Sequence, residues 1–208
     1  RILGPDHPDT LTARNNLASA YKSAGGLDKA INLLEQNLTD HERILGPDHP
    51  RTLISRNNLA GSYRDAGRLD EAIDLYERNL DDGLRILGPD HSYIFSSRNN
   101  LAGAYESAGR LDKAVPLFER TLADRERVLG PDHPDTLTAR NNLAGAYHAA
   151  GRLDKAIDLL EQSLTDRARV LGPDHPDVLG ARNNLASAYK SAGRLDEAID
   201  LYERVLAD

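Results

Sequence analysis

Gly4, Gly46, Gly88, Gly130 and Gly172 stand 42 residues apart, and each opens the same phrase, Gly-Pro-Asp-His. Self-similarity at such a period marks a solenoid, in which every unit buries its apolar face against its neighbours. The 208 residues fall two short of five periods. The repeat therefore predicts one array over residues 1–208, with units at about 8–45, 50–87, 92–129, 134–171 and 176–208 and with 1–7 as the tail of a preceding unit.

Each unit reads as two antiparallel helices of roughly 17 to 19 residues. Pro8 suits a first helical turn, where its missing N–H has no partner to lose. Asp6 or His7 is placed to cap that turn, and Asp9 sets negative charge at the positive end of the helix dipole. Leu11, Leu17, Ala18, Tyr21 and Ala24 form one stripe, and Gly25-Gly26 stops it. A second helix starts at Leu27-Asp28, with Asp28 as the expected cap. It carries Ala30, Ile31, Leu34, Leu38 and Leu45 on one face until the next Gly-Pro. Nothing alternates with period two, so no strand is expected. Tyr21, Tyr63, Tyr105, Tyr147 and Tyr189 are the largest core candidates, each worth about 1.5–3 kcal/mol if buried. Ala18 and Ala30 stay small where helices approach closely, because a larger side chain would overpack.

These residues carry a resemblance. Leu17-Ala18-x-x-Tyr21, then Gly25, then Ala30 resembles the tetratricopeptide repeat, and the 42-residue form with "LGPDHP" and "RNNLA" is similar to the repeats of kinesin light chains and of many bacterial proteins. The resemblance implies an all-α, right-handed solenoid of five stacked hairpins with the first helices lining its concave side. It also implies a cytoplasmic setting. One departure is plain: the bulky aromatic that the family places early in the first helix is here Arg14, Arg56, Arg98, Arg140 and Arg182.

Composition narrows the function. A net charge of −7 lacks the concentrated basic face that nucleic acid requires. No apolar run approaches the ~18–20 residues that span a bilayer. Cysteine is absent, which removes disulfides and thiolate metal sites. Methionine is also absent, even at position 1, so the natural start is expected upstream or removed. Asp-His recurs in every turn, but equivalent loops about 10 Å apart do not converge on one ion. No catalytic residue, cofactor site or metal site is expected, since every polar residue repeats in step and nothing breaks symmetry to build a reaction centre.

The polar ladder is the candidate site. Asn15, Asn16, Asn57, Asn58, Asn99, Asn100, Asn141, Asn142, Asn183 and Asn184 lie within helices, where asparagine is a mediocre choice. In similar repeats the positions of Thr12, Asn15, Asn16, Ser19, Lys22 and Ser23 face the groove. An amide there can donate to and accept from an extended peptide backbone. Alternatively one Asn per unit holds unit-to-unit geometry, with the Asn16-type position favoured for ligand and the Asn15-type for structure. Gly61, Gly103 and Gly145 replace Ser19 and Ser187, either for close approach of another backbone or by drift among near-copies. Lys22, Arg64, Glu106, His148 and Lys190 follow one another along the groove as a mixed set, which argues against a clamp for one acidic tail.

The third unit departs from the others. Its "DHSYIFSS" loses the helix-start proline to Ser92 and gains Tyr93, Ile94 and Phe95, while Gly83-Leu84 replaces His41-Glu42. Tyr93 and Leu84 mark either an asymmetric interface or local repacking. Pro116 falls close enough to a helix start to be tolerated.

Arg1-Ile2-Leu3 matches Arg43-Ile44-Leu45, the close of a second helix. The expected partner is a protein or peptide held in the groove. The alternative is a structural subunit that stacks head to tail into a filament, in which Arg1, Ile2 and Leu3 of one copy meet the last helix of another around Leu206. A filament would also fit an extracellular setting. In similar bacterial proteins such repeats form the sensor arm of a signalling ATPase, which only residues outside this chain could show.

Overall fold

The phrase that opens each unit builds a helix cap. In the computed structural model, which describes residue 4 and residues 6–207, His7, His49, His91, His133 and His175 adopt extended backbone. Each accepts a hydrogen bond on Nδ1 from the backbone N–H two residues on, at 3.1–3.2 Å. The histidine, rather than the neighbouring aspartate, is thus the cap. His91 keeps this role although Ser92 replaces the proline.

Ten helices and no strand occur among the described residues, in two compact units divided after Arg110. The first unit holds α1 (Pro8–Ser23), α2 (Leu27–Leu45), α3 (Pro50–Asp65), α4 (Leu69–Leu87) and α5 (Ser92–Ser107). The second holds α6 (Leu111–Leu129), α7 (Pro134–Ala149), α8 (Leu153–Leu171), α9 (Pro176–Ser191) and α10 (Leu195–Ala207). Inside each unit every helix packs on the next in sequence, giving stacked helix hairpins.

The joint within a hairpin is a Schellman closure. The Arg68 N–H donates to the Tyr63 carbonyl at 2.9 Å and the Gly67 N–H to Arg64 at 2.9 Å, with Gly67 at φ +74°. The chain then passes directly into the next helix. Arg68, like Gly26 and Arg152, occupies the cap position of a second helix and offers it no side-chain bond. Asp28 is therefore not the cap expected of it; it sits inside the first turn, where its charge still faces the dipole.

The predicted stripes form the cores except on α1. There Leu17 is 48% exposed, Ala24 is exposed and Tyr21 half-buried, because no preceding hairpin covers that helix among the described residues. Ala30, Ile31 and Leu34 on α2 and Leu59, Ala60 and Tyr63 on α3 are buried in the first unit, and Ile157, Leu160, Leu185 and Tyr189 cluster in the second. Ala60, Ala72, Ala144 and Ala156 are fully enclosed, as close helix approach requires. The tyrosine hydroxyls are tied down as well. Tyr63 donates to Glu35 of the preceding hairpin at 2.7 Å, and Tyr147 donates to Glu119 at 2.5 Å. Burial, reinforced by those carboxylates, pushes both phenols up to about 12.

The arginines at the family's aromatic position are the largest departure. Arg56 is buried, with Nη1 donating to Asp82 at 2.7 Å and Nη2 to Glu42 at 3.2 Å. Arg85 joins the same Asp82 at 3.0 Å and reaches back to Asp48 of the opening turn at 2.6 Å. Arg140 repeats the pattern in the second unit with Asp166 and Glu126. A long aliphatic stem fills the space of a ring, and the guanidinium fork binds two carboxylates at once. Burial raises the Asp82 carboxyl, but the hydrogen bonds from Arg85 and Arg56 outweigh it and leave the group below its ordinary value.

Candidate binding face

In the first unit, α1, α3 and α5 lie side by side and bring their asparagines together. Asn58 donates to the Asn15 carbonyl oxygen at 3.1 Å, and Asn100 donates to Asn57 at 3.0 Å. The Asn16-type residue of one hairpin thus bonds the Asn15-type residue of the hairpin before it. An amide has two donors and two acceptor sites, so each pair keeps hydrogen-bonding capacity beyond this link. Asn15, Asn57, Asn58 and Asn100 are half-buried, whereas Asn16 is exposed.

A cavity of about 300 Å³ opens on this face, lined by Asn15, Ser19, Lys22, Asn57, Asn58, Gly61, Ser62, Arg64 and Asn100, with Leu34 and Tyr76 reaching it from the second helices. Lys22 pairs with Asp65, and Arg64 lies 3.6 Å from the same carboxylate. Two cations share one anion here, so the rim carries an excess of positive charge.

The second unit has its own face on α7 and α9. A cavity of about 220 Å³ is lined by Asn141, Gly145, His148, Asn184 and Ser187, over an apolar floor that includes Leu160. Asn141 accepts from Ser163 at 3.0 Å, and His148 Nε2 lies 2.9 Å from Ser191. Asn99 and Asn142 are half-buried and engaged, while Asn183, Asn184 and Lys190 are exposed.

The residues singled out as an interface have separate settings. Tyr93 turns inward: its hydroxyl donates to the Leu53 carbonyl at 2.8 Å and lies 2.6 Å from the Asn79 amide. Gly83 makes the room, since a methyl there would lie 3.0 Å from Ile94 and 3.6 Å from the Tyr93 ring. Leu84 is half-buried. Leu206 is 87% exposed on α10. Arg1, Ile2 and Leu3 lie outside the described residues.

Sequence reasoning passes over Tyr76. It stands where Leu34, Phe118, Leu160 and Tyr202 stand in other hairpins, and the only signal is a phenol at a position otherwise mostly hydrocarbon. In the Asp-His turns the histidines serve as caps, and Asp48 and Asp132 are bonded to Arg85 and Arg169. Among the described residues no three His, Asp or Glu side chains gather in a metal-binding group, and no helix is long and apolar enough to cross a membrane.

The model of the family Tetratricopeptide repeat matches residues 1–39, 24–81, 54–126, 93–168 and 154–207. Among solved structures, a Podosopora anserina protein described as a kinesin light chain with nearly identical TPR-like repeats is 34% identical, covering 97% of this chain and 95% of its own, with a TM-score of 0.88. A point variant of that protein is 33% identical, covering 100% and 96%, with a TM-score of 0.89. BtubC (BKLC) from P. vanneervenii shares the fold at 23% identity, covering 96% and 79%, with a TM-score of 0.82. No curated protein matches.

Proposed function

Because the chain belongs to the tetratricopeptide repeat family, a family of protein-interaction scaffolds, we propose that it is a non-enzymatic scaffold whose first-helix face grips an extended segment of a protein partner. The observation that supports this reading most is the row of half-buried amides from Asn15 to Asn100 beside an open, polar cavity. Amides pinned by one another are pre-ordered, so an incoming peptide backbone meets donors and acceptors that need little further ordering.

Panning a random-peptide library against the purified chain tests it. Selected peptides should shift the backbone amide resonances of Ser19, Asn58, Gly61 and Asn100. Peptides that instead shift only the second-helix residues, or a library that yields no binder, would sink the reading.

A second reading is that copies stack on one another through α10. Leu195, Ile199, Tyr202 and Leu206 are all exposed there, whereas Ile73, Tyr76 and Leu80 at equivalent positions of α4 are buried beneath α5. Sedimentation from about 1 to 100 μM, a range that brackets ordinary association constants, separates wild type from Ile199→Glu. Stacking predicts assembly that grows with concentration and disappears in the variant.

A further inference from the structure

Tyr76 is only 2% exposed, yet its hydroxyl makes no hydrogen bond among the described residues. By contrast, Tyr63 and Tyr147 are bonded to glutamates and Tyr93 to a carbonyl. The residue is buried but its oxygen is not among the fully enclosed polar atoms that lack a partner, so the cavity is what lies open to it. Leu34 and Phe118 stand at the same position in other hairpins and present no polar atom there.

The hydroxyl is not sealed in, because it reaches the cavity between α1 and α3. Directly over it sits Gly61, where Ser19 and Ser187 stand in other hairpins; a methyl at 61 would lie 3.3 Å from the Tyr76 oxygen. The missing side chain leaves the Tyr76 oxygen open to the cavity on this side. Asn15 and Asn58 flank it, and the positive excess of Lys22 and Arg64 over Asp65 favours an electron-rich visitor. Burial holds the phenol above its ordinary value, so the group stays protonated and able to donate.

We infer that Tyr76 is an anchoring residue, donating its hydroxyl to a backbone carbonyl oxygen of a bound peptide that crosses the face over Gly61. This assignment rests on the peptide-binding reading above and adds to it a fixed anchor point. The corresponding place in the second unit, floored by Leu160, offers no such donor, so the anchor belongs to the first-unit cavity.

The probe is a peptide selected by panning on the wild-type chain and shown by amide shifts to lie on α1 and α3. Its affinity is measured against wild type, Tyr76→Phe and Gly61→Ala, each checked for unchanged helical circular dichroism. Tyr76→Phe should weaken binding about three- to tenfold, the range for one hydrogen bond. Gly61→Ala, whose methyl would crowd the space over the Tyr76 oxygen at 3.3 Å, should produce a loss of similar size. Because the acceptor is main chain, no single alanine substitution in the peptide should abolish the Tyr76→Phe effect. Equal affinity for all three proteins overturns the assignment while leaving the groove reading in place, and so does a side-chain truncation in the peptide that cancels the effect. Failure to select any peptide would bring down the groove reading itself, and the anchor with it.

Discussion

Arg56 and Asp82 meet at 2.7 Å although 26 residues separate them, and Glu42 closes on the other arm of the same guanidinium at 3.2 Å. One buried cation therefore ties α3 to α4 and to the end of α2. Lysine, a single point charge, cannot span both carboxylates. Arg56→Lys should reduce unfolding free energy by about 1–2 kcal/mol, and Arg56→Ala by about 3 kcal/mol because a carboxylate loses its partner as well as its packing. Urea unfolding monitored by circular dichroism measures both, and equal stability of the two variants would contradict a two-armed role.

The Asn58–Asn15 bond predicts non-additivity. Asn58→Ala and Asn15→Ala should each be destabilising, with a coupling of about 0.5–1.5 kcal/mol in the double-mutant cycle. Asn16→Ala, at an exposed position, should leave stability within about 0.5 kcal/mol. If Asn16→Ala proved the costlier change, the pairing of the ladder would be otherwise than described.

His41 predicts a pH dependence. It is buried, with Nδ1 2.8 Å from Ser55 Oγ. Burial holds it below the ordinary value of 6.5, aided by the charge of Arg51 and His49 and opposed by a hydrogen bond at Asn37 and the charge of Asp40. The unfolded chain then binds this proton more tightly than the folded one, so the contribution is full above about 6.5 and declines as pH falls toward the depressed folded value. Stability measured at about pH 7.5 and about pH 5.5, on either side of the unfolded value, should fall more for wild type than for His41→Gln. Parallel losses in the two proteins would rule His41 out as the source.

Two glycines predict opposite signs. Gly67 has φ +74°, and Gly67→Ala should cost about 1–2 kcal/mol. Gly145 lies mid-helix with nothing within 4 Å of an added methyl, and Gly145→Ala should stabilise by about 0.5–1 kcal/mol. Thermal melts of the two variants provide the comparison.

Much of the fold is readable in the chain. The helix limits follow from Pro8, the Gly25-Gly26 pair and their repeats, because caps and left-handed turns are decided within a few residues. The core stripes follow from periodicity, save on α1, where Leu17 and Ala24 lie exposed although they share the pattern. The cap itself stays open between Asp6 and His7 in the sequence, since both side chains can accept and only backbone geometry chooses. Asp28 reads as a cap from its position alone, but the closure at Gly25 shortens the joint and draws it into the helix. Tyr76 escapes notice because a tyrosine in an apolar stripe reads as core, and so it is, apart from its oxygen.

The sequence by itself determined the hairpin, its period and its family, all consequences of local conformational preference and of an apolar pattern that one hairpin cannot bury alone. Only the stacked structure decided what the polar residues do. Whether Arg56 pairs, whether Asn58 bonds Asn15 43 residues away, and whether the Tyr76 hydroxyl finds a partner depend on atoms brought together from different hairpins. Such contacts turn on distances of a few tenths of an ångström, which no pattern of residue types along a chain encodes.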